Sequence, residues 1–414
     1  MPTPLLPVLA DEDSMLSQKF GRETANYFSG SPLNRLSFLR TDHDFLRAAF
    51  AHPSAAVLLM NSLSPLMQSD ASQLAIATAG DVLSLTGPDP FGKKEDELIG
   101  DFNSEETQTV ILFLGIDEKG GLPSHSGGGQ DTFAYKTFKG TPYFAIDVTP
   151  RGTLADAANA LITAVLEKGF SFHDASPRVM GLEAGQAATY GQARALLDWN
   201  ARNPFCAQCG QRTLSVNAGT KRVCPPTDKA SGAAVDRLPC ATRGTVSNLS
   251  FPRTDPTVIM AIISADGSKV LLGRQRRWPK FWYSTLAGFQ EPGESIEEAV
   301  RREVWEESGV RVGRVVLHSS QPWPFPASLM IGAVGQALPG DGEIIFLGHD
   351  AELEDARWVP LEEAREALAK GVSNLGEPAP EGYAEGKLRL PPPLAIANRL
   401  ITSVVEGWWV PPKI

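Results

Sequence analysis

Only four of the 414 residues are cysteine, six are histidine, and no stretch of the chain stays apolar for long. The best uninterrupted run, Val258–Ile263, has the length of a core strand, whereas a membrane-spanning helix needs about 18 apolar residues or more. Basic residues are outnumbered, 38 Lys and Arg against 48 Asp and Glu, giving a formal charge of −10. A chain of that sign does not coat nucleic acid or an anionic membrane by bulk charge, although a small local site for a nucleotide end stays open. The opening MPTPLLPVLADEDS has no basic stretch ahead of its apolar residues, so neither a secretory signal nor an Arg-rich transit peptide is expected. What is present, 42% hydrophobic and 21% charged residues, excludes a disordered chain, a coiled coil or a collagen. A soluble intracellular protein of two or three domains is expected, at roughly 150 residues per domain.

All four cysteines lie between Cys206 and Cys240, and this cluster divides the chain. Before it, apolar segments such as Ala55–Leu59 and Val110–Leu114 alternate with Gly- and Ser-rich stretches, of which 119–129 reads as an exposed loop. Ala155–Lys168 and Glu183–Trp199 have helical spacing. A mixed α+β domain over 1–200 is expected, without catalytic spacing and without internal repeat.

Cys206 and Cys209 form a CxxC followed at once by Gly210, which permits a tight knuckle; Cys224 follows after 14 residues and Cys240 after 15 more. Four thiolates so arranged suit a tetrahedral structural zinc site over 201–247, although the 15-residue insert departs from the compact form. Disulfides fit poorly with an intracellular chain, and four unrelated buried thiols fit poorly with their clustering.

The strongest signal lies in the remaining segment, 248–414, from Gly288 to Val310: GFQEPGESIEEAVRREVWEESGV. Pro292-Gly293 predicts a turn. Ser295 and Glu298 predict a capping box, Ile296, Ala299, Val300 and Val304 an apolar helix face, and Gly309 the helix end. Glu303, Glu306 and Glu307 then stand at i, i+3 and i+4 on one face. Clustered like charges are destabilising unless a cation joins them, and hard oxygen donors favour Mg²⁺ or Mn²⁺. Glu294 is positioned to add a further oxygen, and Arg302 to orient the carboxylates or pair with one.

This spacing resembles the signature of the Nudix hydrolases, met by Gly288, Glu294, Arg302, Glu303, Val304, Glu306, Glu307, Gly309 and Val310. The resemblance implies an α/β/α sandwich and hydrolysis of a nucleoside diphosphate linked to another moiety. It further implies that the helix carboxylates hold two or three Mg²⁺ or Mn²⁺ ions. Ser320–Met330, SQPWPFPASLM, is stiff, non-helical and unsuited to a central strand. It is similar to a segment that marks the NADH pyrophosphatase branch, as are the cysteine module, FPRTDPTVI at 251–259, PPPLAIANRLI at 391–401 and, at the other end, NYFSGSPLNRLSFLR at 26–40. The branch resemblance, of the longer eukaryotic type, implies cleavage of NADH, and less preferentially NAD⁺, into nicotinamide mononucleotide and AMP. It also implies an NAD-capped RNA 5′ end as second substrate, a homodimer, and no membrane partner.

Residue by residue, the resemblance gives Phe289 as the ring stacking on a base. Gln321, Ser328, Met330 and Ala397 become pocket residues, and Glu352 a downstream metal ligand. On its own Glu352 reads equally as a surface acid among Asp350, Glu354 and Asp355. Arg274, Arg276, Arg277 and Lys280, interleaved with Trp278, Phe281, Trp282 and Tyr283, could hold phosphate and stack bases; a solvated strand and loop is the favoured reading. Pro412-Lys413-Ile414 loosely resembles a peroxisomal signal, giving peroxisome or cytoplasm as the expected location. Two alternatives stay open: a Nudix hydrolase of ADP-ribose, FAD or a diadenosine polyphosphate, and a non-catalytic zinc-ribbon binding module.

Overall fold

The computed structural model describes residues 24–407 apart from 70–72, 125–131, 174–180, 245–248, 250, 293 and 351. Gly293 and the terminal tripeptide Pro412–Ile414 therefore lie outside the described residues. The described residues form two compact units, one within 31–253 with 324–326, the other of 24–30, 254–323 and 327–407. No helix among the described residues is long and apolar enough to cross a membrane.

The first unit is built on a mixed sheet. Its strands are β1 (Leu33–Asn34), β2 (Ala56–Asn61), β3 (Ser64–Met67), β4 (Ile76–Ala77), β5 (Ile111–Asp117), β6 (Phe133–Tyr135), β7 (Phe138–Asp147) and β8 (Ser171–Phe172). They run in the order β1-β5-β7-β2-β3-β8, with β4 on β2 and β6 on β7. Among the described residues only β2 and β7 pair in parallel in this sheet; β2 is a nearly continuous buried apolar run, and so is the Tyr143–Ile146 part of β7 that lies beside it, as a strand covered on two faces requires. Helices α1 (His43–Ala51), α2 (Leu83–Thr86), α3 (Glu95–Gly100), α4 (Ala155–Glu167) and α5 (Ala184–Arg202) complete the domain. Phe45, Leu46 and Phe50 of α1 and Leu161 and Val165 of α4 pack with Val57, Phe113 and Phe144 of the sheet. The cysteine module follows with two small hairpins, β9 (Leu214–Val216) with β10 (Lys221–Val223), and β11 (Thr227–Asp228) with β12 (Val235–Asp236).

The second unit carries β13 (Asp255–Ile263), β14 (Lys269–Gln275), β15 (Leu286–Phe289), helix α6 (Ile296–Ser308), β16 (Val312–Trp323), β17 (Ser328–Ala337), β18 (Leu353–Pro360), α7 (Leu361–Lys370) and α8 (Ile396–Val405). Strand order is β16-β17-β13-β14-β18 with β15 on β13, and β13 and β17 are parallel. Alternation along β13 turns Val258, Met260 and Ile262 to Ala299, Val300 and Val304 of α6. Ile259, Ala261 and Ile263 face Ala364 and Ala367 of α7 and Ile396, Leu400 and Val404 of α8. This is the expected α/β/α sandwich. Pro322 sits near the end of β16, an edge strand of this path, where a missing N–H is tolerated.

The two sheets share a topology that no repeat in the residues announces. Both sheets place a parallel pair at the centre, β2 with β7 and β13 with β17, and add an antiparallel strand outside the second member, β5 or β16. Both follow the first strand by a hairpin and then a short strand returning to it, β4 or β15. The likeness is one of strand order and not of residues, so self-comparison of the residues shows nothing.

Candidate active site

Helix α6 begins and ends as its sequence dictates. Ser295 accepts from the Glu298 N–H, the Glu298 carboxylate accepts from the Ser295 N–H, and Gly309 closes the helix at φ 72°. The strand before it, β15, carries Gly288 next to its last residue, and a Cβ there would stand 2.0 Å from the Glu303 carboxyl carbon. Glycine at this position is thus a space requirement: the Glu303 carboxylate occupies the volume any other side chain would fill.

Arg302 lies at the centre of the charge network. It pairs with both oxygens of Glu294 (2.6 and 2.9 Å), with Glu303 (2.9 Å) and Glu306 (2.9 Å), and donates to the Phe289 carbonyl (2.8 Å). Both expected roles, orienting and pairing, fall to this one guanidinium, whose fork suits bidentate carboxylates. Arg302 holds the Glu294 carboxyl down to about 2, and the Glu291 N–H also donates to it. Glu294 therefore acts inside the loop, tying it to α6, rather than as the free further oxygen expected of it.

The remaining carboxylates have too little positive charge. Burial raises Glu303 despite Arg302. Burial pushes Glu307 up to about 8, with Glu303, Glu352, Asp350 and Glu306 adding to the effect. The Glu307 Oε2 atom is buried with no hydrogen-bond partner. An orphaned carboxylate oxygen among four further acids, opposite a glycine cradle, fits a divalent cation with oxygen ligands. Exposed Glu352 thus joins the α6 carboxylates, and Asp350, read from sequence only as surface, stands with them.

The expected pocket residues fall into one pattern. Across the sheet, Phe289 of β15 pairs with Thr257 of β13, Thr257 with Met330 of β17, and Met330 with Gln321 of β16. Directly paired residues share a face, so the four make one row on the α8 side. Ser328 precedes Met330 by two and shares the face. Ala397, on α8, packs in the same cluster as Met330. The Phe289 ring is 61% exposed at the row's open end. Gly288 and Phe289, being consecutive, point to opposite faces, so the carboxylates and the ring lie on the two sides of one strand end. Thr257 was missed by sequence reasoning; its buried hydroxyl has no hydrogen-bond partner, and only pairing register reveals its place in the row. Gln321 departs from expectation: it is 1% exposed and its amide bonds three backbone groups.

The basic–aromatic stretch follows its bland reading. Arg274 pairs with Glu354, the Trp282 indole donates to the Ser373 carbonyl, and Tyr283 is buried against the α7–α8 side.

In the first unit the four sulfurs of Cys206, Cys209, Cys224 and Cys240 lie within 4.8 Å of one another. The Gly210 N–H returns to the Cys206 carbonyl to form the knuckle, and Arg243 donates to the Cys224 carbonyl and sulfur. The insert reaches back to the domain through Asp228, which accepts from the Ser104 N–H, and Lys229, which pairs with Asp101. Four cysteines converging in this way suit a closed structural zinc site.

Three family models match the chain: a NUDIX domain at residues 253–380, an NADH pyrophosphatase-like rudimentary NUDIX domain at 54–199, and an NADH pyrophosphatase zinc ribbon domain at 201–231. An NAD-capped RNA hydrolase of Schizosaccharomyces pombe is 34% identical over 388 residues, 93% of this chain and 94% of that protein. One of Homo sapiens is 33% identical over 389 residues, 92% of this chain and 73% of that protein. A mitochondrial NAD(P)H pyrophosphatase of Homo sapiens is 31% identical over 373 residues, 89% and 88% of the two chains. With the box geometry, the rudimentary sheet and the thiolate cluster all in place, the chain belongs to the Nudix hydrolases, in the branch that carries the NADH pyrophosphatase zinc ribbon.

Proposed function

We propose that this protein hydrolyses the diphosphate of NADH, and less preferentially of NAD⁺, to AMP and the reduced or oxidised nicotinamide mononucleotide. The NAD cap of an RNA 5′ end is cleaved by the same chemistry. The observation that carries this reading is the cluster of Glu303, Glu306, Glu307 and Glu352 beside the Gly288 cradle, one residue from the exposed Phe289 ring. Among dinucleotides, the relatives' names favour NAD(H) over ADP-ribose, FAD or a diadenosine polyphosphate.

Divalent-metal use goes with the Nudix domain, and zinc with the ribbon. Glu303, Glu306, Glu307 and Glu352 would hold two or three Mg²⁺ or Mn²⁺ ions, and Cys206, Cys209, Cys224 and Cys240 one structural Zn²⁺. Bound metal supplies Lewis acidity to the diphosphate and to a water. The chain's own part is placement. Arg302 fixes Glu303 and Glu306 and, through the Phe289 carbonyl, the strand end that carries the ring. Phe289 offers a π-face to one base, with Thr257, Ser328, Met330 and Ala397 around it.

We further propose a homodimer, three segments bounded at 1–200, 201–247 and 248–414, and residence in peroxisomes or cytoplasm. Product analysis with Mg²⁺ tests the reaction, offering NADH, NAD⁺, ADP-ribose and FAD in parallel. AMP and reduced nicotinamide mononucleotide, formed fastest from NADH, is the expected result. Faster cleavage of ADP-ribose or FAD keeps the chemistry and overturns the substrate.

A further inference from the structure

The sequence NYFSGSP near the start of the chain is separated from the Nudix box by the whole first unit, yet residues 24–30 belong to the second unit. Asn26 is 1% exposed and its side-chain amide donates to the Ser319 hydroxyl (3.0 Å) and the Ser320 carbonyl (2.9 Å) of β16. Phe28 stands edge-on to Trp323 at 6.1 Å. Between them the Tyr27 carbonyl accepts from the Gln321 side chain at 3.1 Å.

Gln321 carries this contact onward. The same amide nitrogen donates to the Leu394 carbonyl (2.9 Å), and its oxygen accepts from the Ile396 N–H (3.0 Å). Helix α8 starts at Ile396 behind Ala395, which offers no side-chain cap. The first N–H groups of a helix need acceptors, and a buried one left without is costly. Gln321 therefore serves as the cap of a helix it does not belong to. One residue beyond that N–H is Ala397, packed in the same cluster as Met330.

We propose that residues 26–28 are a built-in strap of the base pocket: they fix Gln321, Gln321 fixes the first turn of α8, and that turn fixes Ala397 against the Phe289–Thr257–Met330 row. Asn26 and Gln321 are positioning residues. The proposal rests on the reading that this face receives a base of NADH.

The test uses the full chain and three variants, Asn26→Ala, Gln321→Glu and the double variant. Gln321→Glu keeps the acceptor for Ile396 and loses both donations, to Tyr27 and to Leu394, so it probes the strap without truncating a buried side chain. NADH binding is followed by fluorescence in metal-free protein, and kcat and KM with Mg²⁺. Each single variant is expected to weaken NADH binding and raise KM about three- to tenfold, with kcat within about twofold of wild type. The double variant is expected to do no more than the stronger single, because one chain of contacts is cut at two points. Unchanged binding and KM in both single variants, or additive effects, overturn the strap, as does a loss confined to kcat or to thermal stability. A wild type that neither binds nor cleaves NADH overturns the substrate reading as well; one that does both, with unaffected variants, overturns the strap alone.

Discussion

The two sheets of this chain share a plan, and they part company at one connection. After β15 the second unit inserts a 13-residue helix with a capping box and three carboxylates on one face, of which Glu303 lies against Gly288. After β4 the first unit inserts α2, four residues long with no acid and no side-chain cap, then α3, whose acids Glu95, Asp96 and Glu97 stand on a helix without a buried residue. Both connections contain acidic residues, but only one buries them. Burial against a strand end, with a single arginine shared among Glu294, Glu303 and Glu306 and none for Glu307, turns a run of Glu into a demand for a cation; the acids of α3, exposed or, for Glu95, paired with Lys221, make no such demand. A sheet of this order is a scaffold, and the chemistry resides in what is threaded between its strands.

The sharpest way to break this comparison is to remove one charge from the buried set. Glu306→Gln should lower kcat by at least about 100-fold while the far-ultraviolet circular dichroism stays that of wild type; an unaffected rate would sink the catalytic assignment of α6. Next comes a pair of glycines, Gly288 within β15 and Gly80 in the loop just after β4. Gly288→Ala drives a methyl into the Glu303 carboxylate, whereas a Cβ at Gly80 meets nothing nearer than the Thr78 hydroxyl at 3.5 Å. Turnover should fall about tenfold or more in the first and stay at the wild-type level in the second, measured under one set of conditions.

A third change moves the effect from chemistry to stability. Cys206→Ser should abolish zinc in metal analysis and lower the unfolding temperature of the first unit by more than about 5 °C, with kcat moving less than about twofold. Wild-type protein free of zinc would contradict the closed thiolate site. The smallest expected effect concerns the loop after β4. Burial acts against ionisation of Asp81, but the Thr78 hydroxyl and N–H and Lys168 hold its carboxyl below the ordinary 3.8. A depressed carboxylate contributes stability that is present above its unfolded value and is lost as pH falls through the folded one. Asp81→Asn should therefore flatten the decline of stability below about pH 4 and leave turnover alone, as chemical denaturation across pH would register.

Much of the second unit was legible from residues because its constraints are local. Ser295, Glu298 and Gly309 state the ends of α6, and the spacing of Glu303, Glu306 and Glu307 states its polar face. The metal demand was legible too, since like charges at that spacing need an explanation. What escaped depends on pairing between distant segments. Thr257 is an ordinary strand residue until β15 and β17 are aligned on either side of it. Gln321 reads as a pocket donor until Tyr27, Leu394 and Ile396 are found around its amide. Glu294 reads as a spare ligand until Arg302 closes on both its oxygens. The likeness of the two sheets escaped because strand order is conserved by backbone hydrogen bonding, which any apolar sequence of period two supports.

The strand end at Gly288-Phe289 places a further restriction on this chain's history of length change. The cysteine module accommodates 15 residues between Cys224 and Cys240 by folding them into a separate hairpin, and more could be added at its tip without disturbing the four sulfurs. In β15 a single inserted or deleted residue would reverse which face each neighbour addresses, putting a ring where the Glu303 carboxylate sits and a glycine in place of the exposed Phe289 ring. A change of length would thus be tolerated in turns and inserts but not within these four residues from Leu286 to Phe289.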